Sequence, residues 1–154
     1  MRWFVLCLLL FSCLAMPKTA ESSQGRLIKV LPQLLNLKGQ PSLTPSLYDR
    51  DAYQAYLRHH PNEVSGLRFK VQLKASIPKI DELKLRVEIR GLVQDKLPKE
   101  AVLEKTLSER HLLSHWYPLD MTGPAYKDFG EITAWRATLW DGDQMLSEQK
   151  SFLW

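Results

Sequence analysis

From Gly66 onward, apolar and polar residues alternate with a period of two. Leu67, Phe69, Val71 and Leu73 interleave with Arg68, Lys70, Gln72 and Lys74. Leu83, Leu85, Val87 and Ile89 interleave in the same way with Lys84, Arg86, Glu88 and Arg90, and Gly91 follows. Successive side chains of a strand point to opposite faces, so both runs predict half-buried strands. Ile132 to Trp140 predicts another, with Trp135, Ala137 and Leu139 on one face. Asp141-Gly142-Asp143 marks a tight turn, and Met145 to Trp154 returns as the last strand. Ala101 to Leu107 is a weaker strand, and His111 to Tyr117 has no clear period.

The preceding section reads differently. Arg26 to Leu37 is rich in Leu, Ile and Val but is interrupted by Pro32. It is an extended edge segment or a short helix beginning near Pro32. Pro41 and Pro45 mark turns. Thr44 can cap a helix, Pro45 suits its first position, and Ser46 with Asp49 is a capping-box variant. Tyr48, Ala52, Ala55 and Tyr56 share one helical face. A helix is therefore expected over Leu47 to His59, closed by His60-Pro61-Asn62, with that face against the body of the protein.

The first fifteen residues stand apart. Met1-Arg2 is a short positive start, Trp3 to Phe11 an unbroken apolar run, and Ser12, Cys13 and Ala15 are small. That order predicts a secretory signal peptide. A retained membrane span is the competing reading, but Trp3 to Met16 is only 14 residues, and a span needs about 20. Cys13-Leu14-Ala15 suits a general signal peptidase. Leu10-Phe11-Ser12-Cys13 resembles a bacterial lipobox, which would make Cys13 a lipid-modified amino terminus and a membrane tether; Phe11 departs from that pattern. The expected organisation is a signal peptide over 1–15, a flexible tether over 16–26, an extended segment plus helix over 27–62, and a β-sandwich over 63–154. A transmembrane barrel would need at least about eight strands, more than this pattern supplies.

Composition narrows the field. The chain has 154 residues, 45% apolar and 25% charged, which suits one globular domain. Both cysteines, Cys7 and Cys13, lie at or before the expected cut, so no disulfide is available inside the mature chain. Cleavage leaves 20 cationic and 17 anionic side chains. That balance falls well short of a nucleic-acid-binding footprint.

Two resemblances follow. Gly130 to Arg136, then Leu139 to Asp143 and Ser147-Glu148-Gln149, resemble the closing hairpin of an immunoglobulin-like or fibronectin-III-like sandwich. Pro45 to Ala55, Ser65 to Phe69 and Gln149 to Trp154 resemble an uncharacterised family of small exported bacterial proteins. That family has no assigned activity, so the resemblance supplies no functional residues. The chain lacks the cysteine pair of disulfide-bearing immunoglobulin domains. The fold expected is mainly β: an immunoglobulin-like antiparallel sandwich with an N-terminal extended segment and one helix.

Candidate chemistry is sparse. His111 and His115, with Glu109 nearby, would share a helical face, but Leu112 stands where a zinc-protease glutamate would be. His59-His60 suits a helix end, where cationic side chains meet the dipole. There is no G-x-S-x-G elbow and no phosphate-cradling glycine loop. The carboxylate pairs Asp81-Glu82 and Asp141/Asp143 fit loop and turn roles better than a glycosidase pair. No catalytic residue, metal or cofactor is expected.

The most informative polar feature is the basic strand faces. If the two strands pair, Arg68, Lys70, Lys74, Lys84, Arg86 and Arg90 share one sheet face, a candidate surface for an anionic partner. The competing reading is an ordinary solvated face balanced by Glu100, Glu104 and Glu109. Trp135 reads as core, whereas Trp140 and Trp154 are the candidate exposed aromatic contacts. The last strand is a candidate open edge. The expectation is therefore a non-catalytic exported protein, in the cell envelope or secreted, that presents a sandwich surface to a protein or an envelope polymer. A carbohydrate or anionic-polymer module is the alternative.

Overall fold

A computed structural model describes residues 24–76, 83–93, 97–107 and 113–154. The expected signal peptide, Cys13 and most of the tether lie outside the described residues, as do Asp81-Glu82, Glu109 and His111. Two antiparallel sheets are present. The first has three strands in the order β1 (Gln24–Asn36), β2 (Val64–Ser76), β5 (His115–Thr122). The second has four, in the order β4 (Pro98–Thr106), β3 (Leu83–Leu92), β6 (Glu131–Asp141), β7 (Gln144–Lys150). Between β1 and β2 lie helix α1 (Leu47–His59) and a 3-10 turn, Pro61–Glu63; a one-turn helix α2 (Pro124–Lys127) precedes β6.

The alternating pattern explains the packing. Leu67, Phe69, Val71 and Leu73 of β2 face Leu83, Leu85, Val87 and Ile89 of β3 across the sandwich, and all eight are buried. Tyr117, Leu119 and Met121 of β5 and Ala137 and Leu139 of β6 complete this core. Burying each such side chain contributes roughly 1.5–3 kcal/mol. The strand order matches an immunoglobulin-like sandwich except that the fourth strand pairs with the third, in the second sheet.

Glycine is required at two places. A Cβ on Gly91 would lie 2.5 Å from Phe129 Cε1 and 2.6 Å from the Glu131 carbonyl oxygen. That close approach falls where a register shift separates Arg90 from Gly91, opposite Thr133. Gly142, at φ +54°, turns β6 into β7 at the expected Asp141-Gly142-Asp143 corner.

Three expectations are corrected. Arg26 to Leu37 takes the extended-edge alternative and belongs to the sandwich: β1 pairs with β2 from Gln24↔Ser76 to Asn36↔Val64, so the sandwich begins before residue 63. Pro32 sits within this edge strand, where a missing N–H does not break a central ladder. The helix spans Leu47–His59 as expected, and of the two caps offered the Ser46–Asp49 pair is the one used, Ser46 Oγ accepting from Asp49 N–H at 3.4 Å. Its buried face is Gln54 and Leu57, with Tyr48 and Tyr56 outside. The helix reaches the body through two residues: Leu57, buried beside Val64, Leu67 and Phe69, and Gln54, which hydrogen-bonds to peptide groups of the β1 edge. The last strand ends at Lys150, four residues earlier than expected.

Candidate functional site

β2 and β3 lie in different sheets. The six cations therefore do not share a face: Arg68, Lys70 and Lys74 project from one side of the sandwich, and Lys84, Arg86 and Arg90 from the other. β2 ends at Ser76 and β3 begins at Leu83 in the other sheet, so the chain changes sheet between them.

Most of these charges are also engaged. Arg68 holds Asp120 through two hydrogen bonds of 2.7 Å, which raise the guanidinium above its ordinary pKa. Lys70 Nζ sits 5.1 Å from the Trp116 ring centre. Lys84 and Arg86 approach Glu104 at 3.8 and 3.7 Å, and Arg90 pairs with Glu100 at 3.0 Å. Glu100 and Glu104 on β4 thus balance the β3 cations, as the solvated-face reading expects.

The two candidate aromatic contacts are engaged as well. Trp154 meets two cations, with Arg90 Cζ 4.0 Å and Arg136 Cζ 5.1 Å from its ring centre. Trp140 Nε1 donates to Thr138 Oγ1 at 2.8 Å, and Thr138 is buried. His115 opens a strand, its ring edge-on to Tyr117 at 5.0 Å, and His111 lies outside the described residues. His59 and His60 hydrogen-bond through Nδ1 to the carbonyls of Ala55 and Tyr56, each at 2.8 Å, at the helix end. Among the described residues, no three His, Cys, Asp or Glu side chains converge, and no helix is long and apolar enough to cross a membrane.

What the sequence did not reveal is a groove of about 630 Å³ between the two sheets, beside α1. Its deep lining is apolar: Leu57, Val64, Leu67 and Phe69, with Trp135 set edge-on to Phe69 at 6.2 Å. One wall is the edge of β1 at Pro32 and Leu34. The opposite wall is β6 from Glu131 to Thr133. Tyr126 stands at the rim, and burial pushes its phenol up from the ordinary value.

Gln54 builds one side of this groove. Its Oε1 accepts from Leu34 N–H at 2.8 Å, and its Nε2 donates to the Leu34 carbonyl at 2.9 Å. The amide thus bonds the peptide groups of Leu34 as a neighbouring strand would. Nε2 also donates to the Pro41 carbonyl at 2.7 Å. Asn36 fixes the approach to the helix: its Nδ2 donates to Tyr53 Oη at 3.1 Å, and its Oδ1 accepts from Lys38 and Gln40 N–H. Nothing in an apolar/polar pattern distinguishes a glutamine serving this role from a solvated one.

The other side is shaped by where β7 stops. Its last ladder pair is Arg136↔Lys150; Ser151 then exchanges two bonds with Trp135, N–H to O at 2.9 Å and Oγ from N–H at 3.0 Å. Beyond that point the chain turns, with Trp154 N–H on the Ser151 carbonyl. β6 runs four residues further, to Glu131, with no strand on its β7 side among the described residues. The arrangement is an apolar slot with a strand on either side, β1 at Pro32 and Leu34 and β6 from Glu131 to Thr133. Compared with known proteins, the chain matches no family model, no curated protein and no solved structure.

Proposed function

We propose that this protein is a non-catalytic, exported interaction protein that takes part of a macromolecular partner, a protein, into the groove between its two sheets. The single observation that carries the reading is that groove: about 630 Å³ with a buried apolar lining, open beside a strand that outruns its neighbour. Sites of this size and lining are the usual form of a binding cleft. The outer faces offer less, because their cations and tryptophans are largely engaged with each other and with carboxylates. Export rests on the charge, apolar-run and small-residue order of Met1 to Ala15, with Cys13 the anchoring residue if the lipobox is used. Membership of the family of small exported bacterial proteins remains part of this proposal, on the segments that resemble it.

A photo-crosslinking amino acid placed in turn at Arg58 and Thr133, on the groove, and at Lys70 and Lys84, on the outer faces, tests the reading in producing cells. Adducts of one defined mass from the groove positions, with none from the outer faces, are expected. Adducts from the outer faces alone would overturn it. Cell fractionation of the Cys13→Ser variant tests the anchor; unchanged membrane association would end the lipoprotein idea.

A further inference from the structure

The two outer faces of the sandwich differ in charge. On the four-stranded sheet the cross-strand register sets cations against carboxylates: Arg90 opposite Glu100, Arg86 opposite Glu104 and Arg136 opposite Glu88. The three-stranded sheet has no such balance. Residues directly opposite each other in an antiparallel pair share a face. The outward residues of β2, Arg68, Lys70, Gln72 and Lys74, therefore lie beside Gln33, Leu31, Lys29 and Arg26 of β1. On their other side stand Asp120, Pro118 and Trp116 of β5. The face holds the cations Arg26, Lys29, Arg68, Lys70 and Lys74 and one carboxylate, Asp120, which Arg68 already occupies at 2.7 Å.

Arg26, Lys29, Lys70 and Lys74 form no ion pair among the described residues, and Arg26, Lys29 and Lys74 are exposed. The fold brings these charges together. Arg26 and Lys29 are three apart and would turn to opposite faces of a regular strand; the register shift between Leu27 and Lys29 puts both on this one. Arg26 then lies directly opposite Lys74, where like charges repel. Such a face draws its counter-charge from outside the chain.

The cations are interleaved with apolar side chains. Lys70 has Leu31 opposite it on one strand and Pro118 on the other, and its Nζ lies 5.1 Å from the Trp116 ring centre. A soluble polyanion is met by cations alone. Cations set among a half-buried Leu and Trp suit a bilayer interface, where phosphates meet the charges and an indole sits at headgroup level. β1 begins at Gln24, two residues before Arg26 and eleven after Cys13. An extended chain of that length reaches at most about 40 Å, so a lipidated Cys13 would tether the sandwich by its cationic corner.

We infer that the outer face of the three-stranded sheet rests on an anionic phospholipid surface through Arg26, Lys29, Lys70 and Lys74, with Trp116 at headgroup level. The face is cationic with or without a lipid on Cys13. A lipid contact leaves no protein adduct at Lys70, so the groove reading and this inference stand or fall separately.

The test is co-sedimentation of the full chain with vesicles of phosphatidylcholine alone and of phosphatidylcholine mixed with phosphatidylglycerol. Comparing the two cancels any insertion of the apolar run Trp3 to Phe11, which both would share. At least about tenfold tighter binding to the anionic vesicles is expected, falling as salt is raised. The variant Arg26→Gln/Lys29→Gln/Lys70→Gln/Lys74→Gln should lose this preference. Lys84→Gln/Lys99→Gln/Lys105→Gln/Lys150→Gln removes the same charge from the other sheet and should keep it. Circular dichroism and melting confirm that each variant is folded. If the first does not fold, Lys29→Gln/Lys74→Gln replaces it, with a loss of at least about threefold expected. Equal binding of the parent to both vesicles would overturn the inference. Equal losses in the two fourfold variants would assign the preference to overall charge and overturn it too. Binding of soluble polyphosphate without binding to anionic vesicles would reassign the face to a polyanion.

Discussion

The two ends of β1 present the same structural problem and solve it differently. Near Leu27 the strand lies against β7, and the two sheets close on each other. A Cβ on Gly25 would fall 2.6 Å from Leu139 Cδ2, so the contact there is tight. Near Leu34 the sheets have separated, β7 has ended, and a helix side chain stands in for the missing strand. The first end is sealed by the sandwich itself. The second is latched by one amide and leaves a groove. Closure of a sandwich is therefore local, and a groove opens where one strand outruns its neighbour.

The largest expected effect breaks what the two ends share. Phe69 is wholly buried, belongs to the core and lines the groove. Phe69→Ala should cost about 3–5 kcal/mol, the range for removing a buried aromatic side chain. Urea denaturation checks this, and a loss below about 1.5 kcal/mol would mean that the groove end is not part of the common core.

Next comes the latch. Gln54→Leu keeps the volume but leaves the Leu34 N–H and C=O and the Pro41 carbonyl without their partner. Unmet buried polar groups cost about 1–3 kcal/mol each, so a loss of about 2–3 kcal/mol is expected after partial rescue by water. Amide hydrogen exchange makes the comparison sharper. The Leu34 amide should lose protection while the Leu27 amide keeps it. Equal acceleration at both would show that the two ends open as one unit.

Gln149→Ala addresses the sealed end and should cost less, about 1 kcal/mol. Only two carbonyls lose a donor there, and the Ser147 bond to Leu27 N–H remains. Combined with Gln54→Leu, the losses should add within about 0.5 kcal/mol, as they do for sites without shared partners. A larger coupling would show that the ends communicate along β1.

Much of this architecture is legible in the sequence because burial dictates a period. Leu67 to Leu73 and Leu83 to Ile89 alternate without exception, and each strand has one buried face. The bounds of α1 are legible from Ser46, Asp49 and Pro61. Its orientation is not. The stripe of Tyr48, Ala52 and Tyr56 looks like the packing face, yet the docking face is Leu57 together with the polar Gln54, which bonds peptide groups of the β1 edge. Strand partnership is equally invisible: alternation places Arg68 and Arg86 on polar faces but does not say that those faces lie on opposite sides of the molecule. The groove depends on where β7 stops relative to β6. That offset is set by the Ser151 bonds to Trp135, which no pattern of types encodes.

The smallest expected effect is a pH dependence confined to the open end. Burial at the groove rim raises the Tyr126 phenol above its ordinary value of 10.0. The folded chain then keeps a proton that the unfolded chain releases, so the stabilisation is full below about pH 10 and is lost as pH rises through the folded value. Tyr126→Phe removes this proton linkage while keeping the ring. Urea midpoints measured between about pH 8 and about pH 11 should therefore fall less steeply for the variant than for the parent. Hydrogen exchange is less useful here, because base catalysis accelerates all amides. The midpoint slope is the readout, and identical slopes would place the Tyr126 hydroxyl in water and the rim of the groove further open than its lining implies.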